Sequence, residues 1–237
     1  MGTRLDDLTW PAVRDRAAAS ILAVPLGSTE QHGPHLPVTV DTDVATALAT
    51  RLAEMRGNVV VAPALPYGSS GEHAGFAGTL SVGSLVLEQI VVELVRSADA
   101  FAGVVLVCGH GGNAGALSGA VATLRAEGRR VLAWMPRIPG GDAHAGRTET
   151  SLMLAVRPTA VGLAAAEAGD TRPIEALMPA LRQGGVVAVA ANGVLGDPAG
   201  ATAEEGRRLL ATLAADLVTA VTTWTATSTA TWTEGVG

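Results

Sequence analysis

The stretch Ser20-Ile-Leu-Ala-Val-Pro-Leu-Gly27, followed directly by Ser28-Thr-Glu-Gln-His-Gly-Pro-His-Leu-Pro37, decides the fold class of this chain. An apolar run of this length, ended by glycine, predicts a strand that is buried on both faces, as in parallel sheets. Similar runs at 58–63, 102–108 and 130–134 alternate with helical patterns at 44–54, 85–98, 114–127 and 203–218. The alternation predicts an α/β fold, with a mostly parallel sheet covered by helices on both faces. The run at 186–190 is a candidate for one more strand.

The composition fits one domain with a large apolar core. Of the 237 residues, 48% are hydrophobic and only 16% are charged. The net charge of −6 and the lack of a basic run argue against a nucleic-acid partner. No signal-like segment and no apolar run of membrane-spanning length stand out, so we expect no membrane partner and a cytoplasmic location. We expect a single domain over 1–221 and a flexible tail over 222–237.

All five histidines lie in short polar segments beside acidic residues or glycines. Two of these segments, 27–37 and 109–113, come directly after predicted strands. In parallel α/β folds, ligands collect at the carboxyl ends of the strands. Imidazole and carboxylate together are the ligand set of zinc, manganese or iron(II). The sequence therefore predicts a metal site at this edge of the sheet.

The first segment offers three candidate ligands. Glu30 and His32 are two residues apart, so on extended backbone they face one side. Asp41 comes at the start of the next helical pattern, and its two oxygens could bridge two ions. A solvated loop that contains Glu and His by chance is the competing interpretation, because Glu-x-His is a weak pattern.

Two glycine-rich segments allow alternatives. In Gly109-His-Gly-Gly-Asn113, His110 projects from a strand end. The same segment loosely fits a dinucleotide fingerprint, which would make the chain a nicotinamide-dependent oxidoreductase. That fingerprint expects an acidic residue about 20 positions later, and residues 131–136 contain none. Glu72 and His73 lie in a loop that either covers the pocket or is an ordinary solvated loop.

His144 and Glu149 are five residues apart, a spacing that gives no support for a shared site. On a helix the two side chains would diverge, and on a strand they would face opposite sides. Only a turn between them, which Gly146 permits, would bring both to one pocket. Otherwise Glu149 is a helix N-terminal carboxylate.

Together these segments resemble the creatininase family of metal-dependent amidohydrolases. The resembling stretches run in chain order and comprise 25–37 with Asp41, 71–79, 109–113, 144–151 and 193–206. The resemblance implies a three-layer α/β/α sandwich with two divalent ions, which are zinc, iron(II) or manganese. Asp41 would bridge the ions, with Glu30 and His110 on one and His32 and a further glutamate on the other.

The chain differs from creatininases proper in the position of that further glutamate. Those enzymes carry it two residues after the histidine that corresponds to His110, and here the position is Gly112. The resemblance implies that Glu149 replaces it and also takes part in catalysis. His144 would act on the substrate, and Glu72, His73, Gly111 and Gly112 would contact the substrate.

The stretch 136–143 has no aromatic residue where creatininases proper carry tryptophan, which argues against creatinine as substrate. The chain is most similar to a subfamily that removes a C-terminal Val-Tyr dipeptide from a modified precursor peptide in redox-cofactor biosynthesis. A small-molecule amidohydrolase, such as a creatininase or formamide hydrolase, is the alternative within the family. The expected chemistry is metal-assisted amide hydrolysis, in which activated water attacks the carbonyl. The resemblance also implies a homo-oligomer, often a hexamer.

Overall fold

The computed structural model describes residues 2–230, and it contains a five-stranded sheet with the strand order β1-β3-β2-β4-β5. Every neighbouring pair of strands is parallel. The strands are β1 (Thr3–Arg4), β2 (Ile21–Leu26), β3 (Val59–Val61), β4 (Gly103–Cys108) and β5 (Val131–Trp134). The helices are α1 (Trp10–Ala17), α2 (Val40–Met55), α3 (Ser84–Arg96), α4 (Ala114–Ala126), α5 (Arg147–Val156), α6 (Ile174–Gly184) and α7 (Ala203–Ala230).

Side chains that alternate along the strands build two separate cores. Ile21 and Ala23 of β2 point to one face, where they pack with α2, α5 and α7. Leu22 and Val24 point to the other face, where they pack with α3 and α4. Each fully buried aliphatic side chain contributes about 1.5–3 kcal/mol, so both helix layers are held firmly to the sheet. The predicted parallel α/β sandwich is confirmed.

The register of the sheet explains why distant segments meet. β2 and β4 are neighbours, and their last residues, Leu26 and Cys108, lie opposite each other. The segments that follow these residues therefore leave the sheet side by side. The N-terminus of α2 packs onto the same edge, so closely that a Cβ atom on Gly109 would overlap the backbone carbonyl of Asp41. Gly109 is thus needed for close packing within the protein, which removes much of the support for a dinucleotide-binding loop.

The segment 186–190 is not a strand, so that prediction was wrong. Val186–Ala188 forms a short 3-10 helix after Gly185, whose φ of +68° ends α6. Val186 and Ala190, four residues apart, are buried against Leu177, whereas Val187 is exposed. The burial spacing is therefore helical, although β-branched residues favour a strand by propensity.

The C-terminal helix α7 continues to Ala230, so residues 222–230, which the sequence analysis assigned to a flexible tail, are helical in the structure. The helix is held past residue 222 because Trp224 packs against Gly103 of β4 and stacks near the Arg130 guanidinium. Residues 231–237, the rest of that predicted tail, lie outside the described residues.

By length and composition alone, α7 could cross a membrane, which the sequence analysis did not anticipate. An 18-residue window within Ala203–Thr227 has a mean hydropathy of 1.4, and 28% of that window is buried. The buried positions include Leu210, Leu213 and Leu217, which pack into the core shared with α2 and α5. One face of α7 thus has the role of a core helix.

Candidate metal centre

A cleft of about 510 Å³ opens at the carboxyl edge of the sheet. Four of the five histidines and four carboxylates converge on it, namely His32, His73, His110, His144, Glu30, Asp41, Glu72 and Glu149. Most of these side chains are buried, and Glu30 and His32 are only 1% and 0% exposed. A hollow of about 800 Å³ between α4 and β5 is larger, but it holds none of the histidines and has no cluster of potential metal ligands. We therefore place the chemistry in the smaller cleft.

The first candidate metal group consists of Glu30, Asp41 and His110, whose ligand atoms all lie within 4.8 Å of one another. His110 Nδ1 lies 3.3 Å from Glu30 Oε2 and 3.3 Å from Asp41 Oδ2. His110 Nε2 lies 3.0 Å from the carbonyl oxygen of Ser69. Because that carbonyl can only accept, Nε2 carries the hydrogen and Nδ1 offers a lone pair to the group.

The second candidate group consists of His32, His144 and Glu149, whose ligand atoms also lie within 4.8 Å of one another. His32 Nδ1 donates to the backbone carbonyl of Glu30 at 3.1 Å, which leaves Nε2 as the acceptor. That Nε2 atom is 3.2 Å from Asp41 Oδ1 and 3.8 Å from Glu149 Oε2. Asp41 therefore gives one oxygen to each group. Its Oδ2 atom is buried and has no hydrogen-bond partner among the described residues.

Lone pairs that face one another at these distances require positive charge between them. Without a metal, protons supply it: burial lowers the pKa of His32, but the charge of Asp41 raises it to about 9. Burial also lowers the pKa of His110, but the carboxylates of Asp41 and Glu30 beside it raise it above its usual range. Divalent ions are the other source of positive charge, and carboxylate oxygen with imidazole nitrogen is a set that zinc, manganese and iron(II) accept. The residues present therefore fit divalent metal ions.

Glu149 reaches this site through a turn between it and His144, but the residue with the unusual backbone is Ala145 and not the expected Gly146, which is extended. Ala145, the residue after His144, adopts a positive φ of 54°, which is strained for a residue with a side chain. The Ala145 N–H donates to Glu149 Oε2 at 2.6 Å, and the same oxygen lies 4.0 Å from His144 Nδ1. Glu149 thus stands in the first turn of α5, as the competing interpretation expected, and faces His32 as well.

Gln31, which the sequence analysis did not select, organises two of the histidines. Its Oε1 accepts from the N–H of Gly33 at 2.7 Å, which fixes the orientation of the amide. Its Nε2 then donates to the carbonyl of Gly193 at 3.0 Å and to His73 Nδ1 at 2.9 Å. The backbone carbonyl of Gln31 accepts from His144 Nε2 at 2.8 Å. His144 therefore presents the lone pair of Nδ1 to the cleft.

The other two imidazoles of the cleft are arranged as neutral groups. Burial, with the nearby positive charge of His32, lowers the pKa of His144. Burial lowers the pKa of His73 to about 4, although the charge of Glu30 opposes that shift. With its Nδ1 accepting from the Gln31 amide, His73 donates from Nε2 towards Glu30 Oε1 at 3.2 Å. His73 thus holds Glu30 in place, and its ligand atom also lies within 4.8 Å of those of Glu30 and His144.

The Glu72 carboxylate occupies the space in front of Gly112. Its Oε1 lies 3.5 Å from His110 Nε2, on the side of the ring away from the metal group. A Cβ atom on Gly112 would overlap both the Glu72 carboxylate and the His110 ring. Gly111, in contrast, has open space in front of it and lines the cleft. The proposed contacts of Glu72, His73, Gly111 and Gly112 with substrate stay predictions.

Two further residues complete the description. His35 does not join the site, because its Nε2 lies 2.8 Å from the Thr150 hydroxyl and the residue does not line the cleft. Ser28, which the sequence analysis did not select, donates its hydroxyl to Glu30 Oε2 at 2.8 Å and contacts Ser70. Ser28 therefore orients a candidate ligand.

The fold and this cluster of carboxylates and imidazoles define a metal-dependent hydrolase, and sequence comparison gives the family. The model of the creatininase family, described as creatinine amidohydrolase, matches residues 6–221. The chain therefore belongs to the creatininase family, and it is a hydrolase of amide or peptide bonds. Solved structures agree: a creatininase covers 93% of this chain and 96% of its own, at 27% identity and a TM-score of 0.75.

Among characterised relatives, the chain is similar to mycofactocin precursor peptide peptidases. It is 50% identical to the enzyme of that name from Mycobacterium tuberculosis over 214 residues, which cover 86% of this chain and 85% of the relative. The similarity to a creatinine amidohydrolase from Pseudomonas putida is narrower, at 37% identity over 97 residues, or 38% of this chain and 37% of the relative. The solved creatininases include a Zn–Zn type and a Mn form.

Proposed function

We propose that this chain is a metal-dependent peptidase that removes the C-terminal Val-Tyr dipeptide from the modified mycofactocin precursor peptide. The observation that carries the proposal is the 50% identity, over most of both chains, to a mycofactocin precursor peptide peptidase. The cleft supports it, because about 510 Å³ accommodates a peptide end. The cleft is also lined by both polar and apolar side chains, as peptide binding requires.

We assign two divalent ions to the cleft. Glu30, Asp41 and His110 would hold one. His32, Asp41 and Glu149 would hold the other, with Asp41 as the bridge, because both carboxylates face His32 Nε2. When bound, such ions supply a Lewis acid for the scissile carbonyl and make water a better nucleophile. The buried Asp41 Oδ2 without a hydrogen-bond partner supports this assignment, because an ion would give that atom its partner.

Proton transfer during hydrolysis would be carried out by the chain's own residues. His144 has a free Nδ1 and a lowered pKa, so it is neutral near pH 7 and can accept a proton there. The same atom can then pass that proton to the departing amine. Gln31 holds the ring in this orientation, and the turn at Ala145 brings Glu149 beside it. Proton transfer would therefore depend on His144 and on the residues that fix its tautomer.

The expected homo-oligomer is also part of this proposal. Leu85 is 80% exposed and Leu80 is 54% exposed, so both leave apolar surface in contact with water. A second copy of the chain that covers these residues would remove that surface from water. Light scattering should then give a mass of several chains at micromolar concentration, and a monomer would contradict the expectation.

Incubation of the zinc- or manganese-loaded protein with the modified precursor tests the function. Mass spectrometry should show the loss of one Val-Tyr dipeptide, and a chelator should abolish it. Creatinine and formamide should stay intact under the same conditions. Hydrolysis of a small amide with the peptide untouched would favour the small-molecule amidohydrolase, and no hydrolysis of either would reject both.

A further inference from the structure

The two walls of the cleft differ in chemistry. The metal wall consists of the carboxylates and imidazoles described above. The opposite wall is mainly apolar, and α6 and the segment after it supply Ile174, Met178, Leu181, Arg182 and Val186. A substrate bound between the walls would place its reacting bond on one side and its side chains on the other.

One face of α6 forms this apolar wall. Ile174, Met178 and Arg182 follow one another at intervals of four residues, so they lie in a row along the helix. Leu177, on a different face, is only 1% exposed and packs against Leu195. Because Leu177 anchors the helix, the row with Arg182 at its end is directed into the cleft.

The end of α6 that carries Arg182 is fixed to the metal wall. Gly185, which ends the helix, donates its N–H to the carbonyl of Leu181 at 2.9 Å. A Cβ atom on Gly185 would lie 2.6 Å from the backbone carbonyl of Glu72, closer than real side chains approach. This contact holds the last turn of α6 against the segment that contains Glu72 and His73.

Arg182 is the only arginine among the described residues that line the cleft, and the chain has no lysine. Within residues 2–227, whose side chains the structure describes, its guanidinium makes no hydrogen bond or ion pair, and the residue is exposed. The carboxylates across the cleft are committed to imidazoles, as the distances of 3.2–3.3 Å from Asp41 to His32 and His110 show. A free guanidinium at the end of an apolar row complements an anionic group that follows apolar side chains.

We propose that Arg182 binds the C-terminal carboxylate of the peptide, and that the apolar row of α6 receives the side chains of its last two residues. This inference rests on the proposed function, since it names how that activity would select a chain end. The carboxylate of a dipeptide leaving group lies about 7 Å beyond the scissile carbonyl when extended. Binding of that carboxylate by Arg182 would set the length of the fragment that is released.

Binding of the product dipeptide isolates this contact from catalysis. Calorimetry on the zinc-loaded protein would compare Val-Tyr with its C-terminal amide, which lacks the negative charge. Arg182→Gln should weaken Val-Tyr binding by about 10- to 100-fold, the range for a charge-assisted hydrogen-bonded pair. Binding of the amide should change by less than about twofold. Arg182→Lys should restore part of the affinity, because it keeps the charge but loses the bidentate fork.

Arg208→Gln is the matched control, because Arg208 pairs with Glu204 on the surface of α7, outside the cleft. This variant should bind both ligands like the wild type. Equal binding of Val-Tyr by Arg182→Gln and wild type would overturn the inference, since the metal wall would then hold the carboxylate. Failure of the wild type to bind Val-Tyr would overturn it too. Processing of the precursor is scored separately: intact precursor rejects the proposed function, and cleaved precursor with Arg182-independent binding rejects only the role of Arg182.

Discussion

Substitution of Asp41 by asparagine should remove both metal ions at once. Asp41 Oδ1 faces His32 Nε2 at 3.2 Å, and Oδ2 faces His110 Nδ1 at 3.3 Å. Asparagine has nearly the same shape, but one of its terminal atoms becomes an NH₂ group. In either orientation that group donates a hydrogen bond to an imidazole lone pair and blocks one ligand position. The loss of the negative charge weakens the other position.

The effect on stability follows from linkage. An ion at 100 times its dissociation constant stabilises the folded state by about 2.7 kcal/mol, so two ions contribute about 5 kcal/mol. For a chain of this size, 1 kcal/mol corresponds to a shift in Tm of about 2–4 °C. Chelation should therefore lower the Tm of the wild type by about 10–20 °C and leave the Tm of Asp41→Asn unchanged.

Thermal unfolding with and without chelator, together with elemental analysis, measures this effect. Asp43→Asn is the control, because Asp43 lies in the same turn of α2 but pairs with Arg157 at 2.6 Å outside the cleft. It should bind metal like the wild type and lose less than about 1 kcal/mol. If Asp41→Asn retained two ions, or if chelation left the wild-type Tm unchanged, the bridging role of Asp41 would be refuted.

Three more outcomes are expected. Glu149→Gln should lose one ion, and equal metal content in this variant and the wild type would reject Glu149 as a metal ligand. His144→Ala should keep both ions and lower kcat by about 10²- to 10⁴-fold. Because the pKa of metal-free His32 is raised from 6.5 to about 9, its stabilising proton is lost as pH rises through that window. Metal affinity should accordingly rise about tenfold per pH unit for each displaced proton up to about pH 9, as competition with a chelating dye would show. Truncation after Val221 removes Trp224 from its contacts with β4 and should lower the free energy of unfolding, measured by chemical denaturation, by about 1–3 kcal/mol. An unchanged denaturation midpoint would instead support a flexible tail after residue 221.

The sequence predicted the central sheet because buried parallel strands consist of continuous runs of apolar residues. β2 and β4 are such runs, and every residue in both is buried. The candidate ligands of the first segment follow β2 directly, and His110 follows β4, so strand-end chemistry located them as well. Adjacency of β2 and β4 in the sheet was not needed for that prediction, but it is what brings the two segments into contact.

Other parts of the site depend on contacts that no local pattern encodes. The Gln31 amide binds His73 and Gly193, which lie 42 and 162 residues away in the chain. The approach of Glu149 depends on the positive φ of Ala145, a conformation that alanine rarely adopts. α6 was missed because Pro179 interrupts an already short helical pattern, and with it the sequence analysis missed a wall of the cleft.

The overlap between positions 72 and 112 also restricts how this chain can diverge. A glutamate introduced at Gly112 alone would collide with the Glu72 carboxylate and with the ring of His110. Replacement of Glu72 alone would remove only the carboxylate, because the ring of His110 and the backbone carbonyl of Ser69 would still overlap a Cβ atom at position 112. A lineage that acquired a glutamate in the loop after β4 would therefore have to move the backbone around Gly112 or Ser69 as well. We expect glycine to persist at position 112 in relatives that keep this packing, whichever residue stands at position 72.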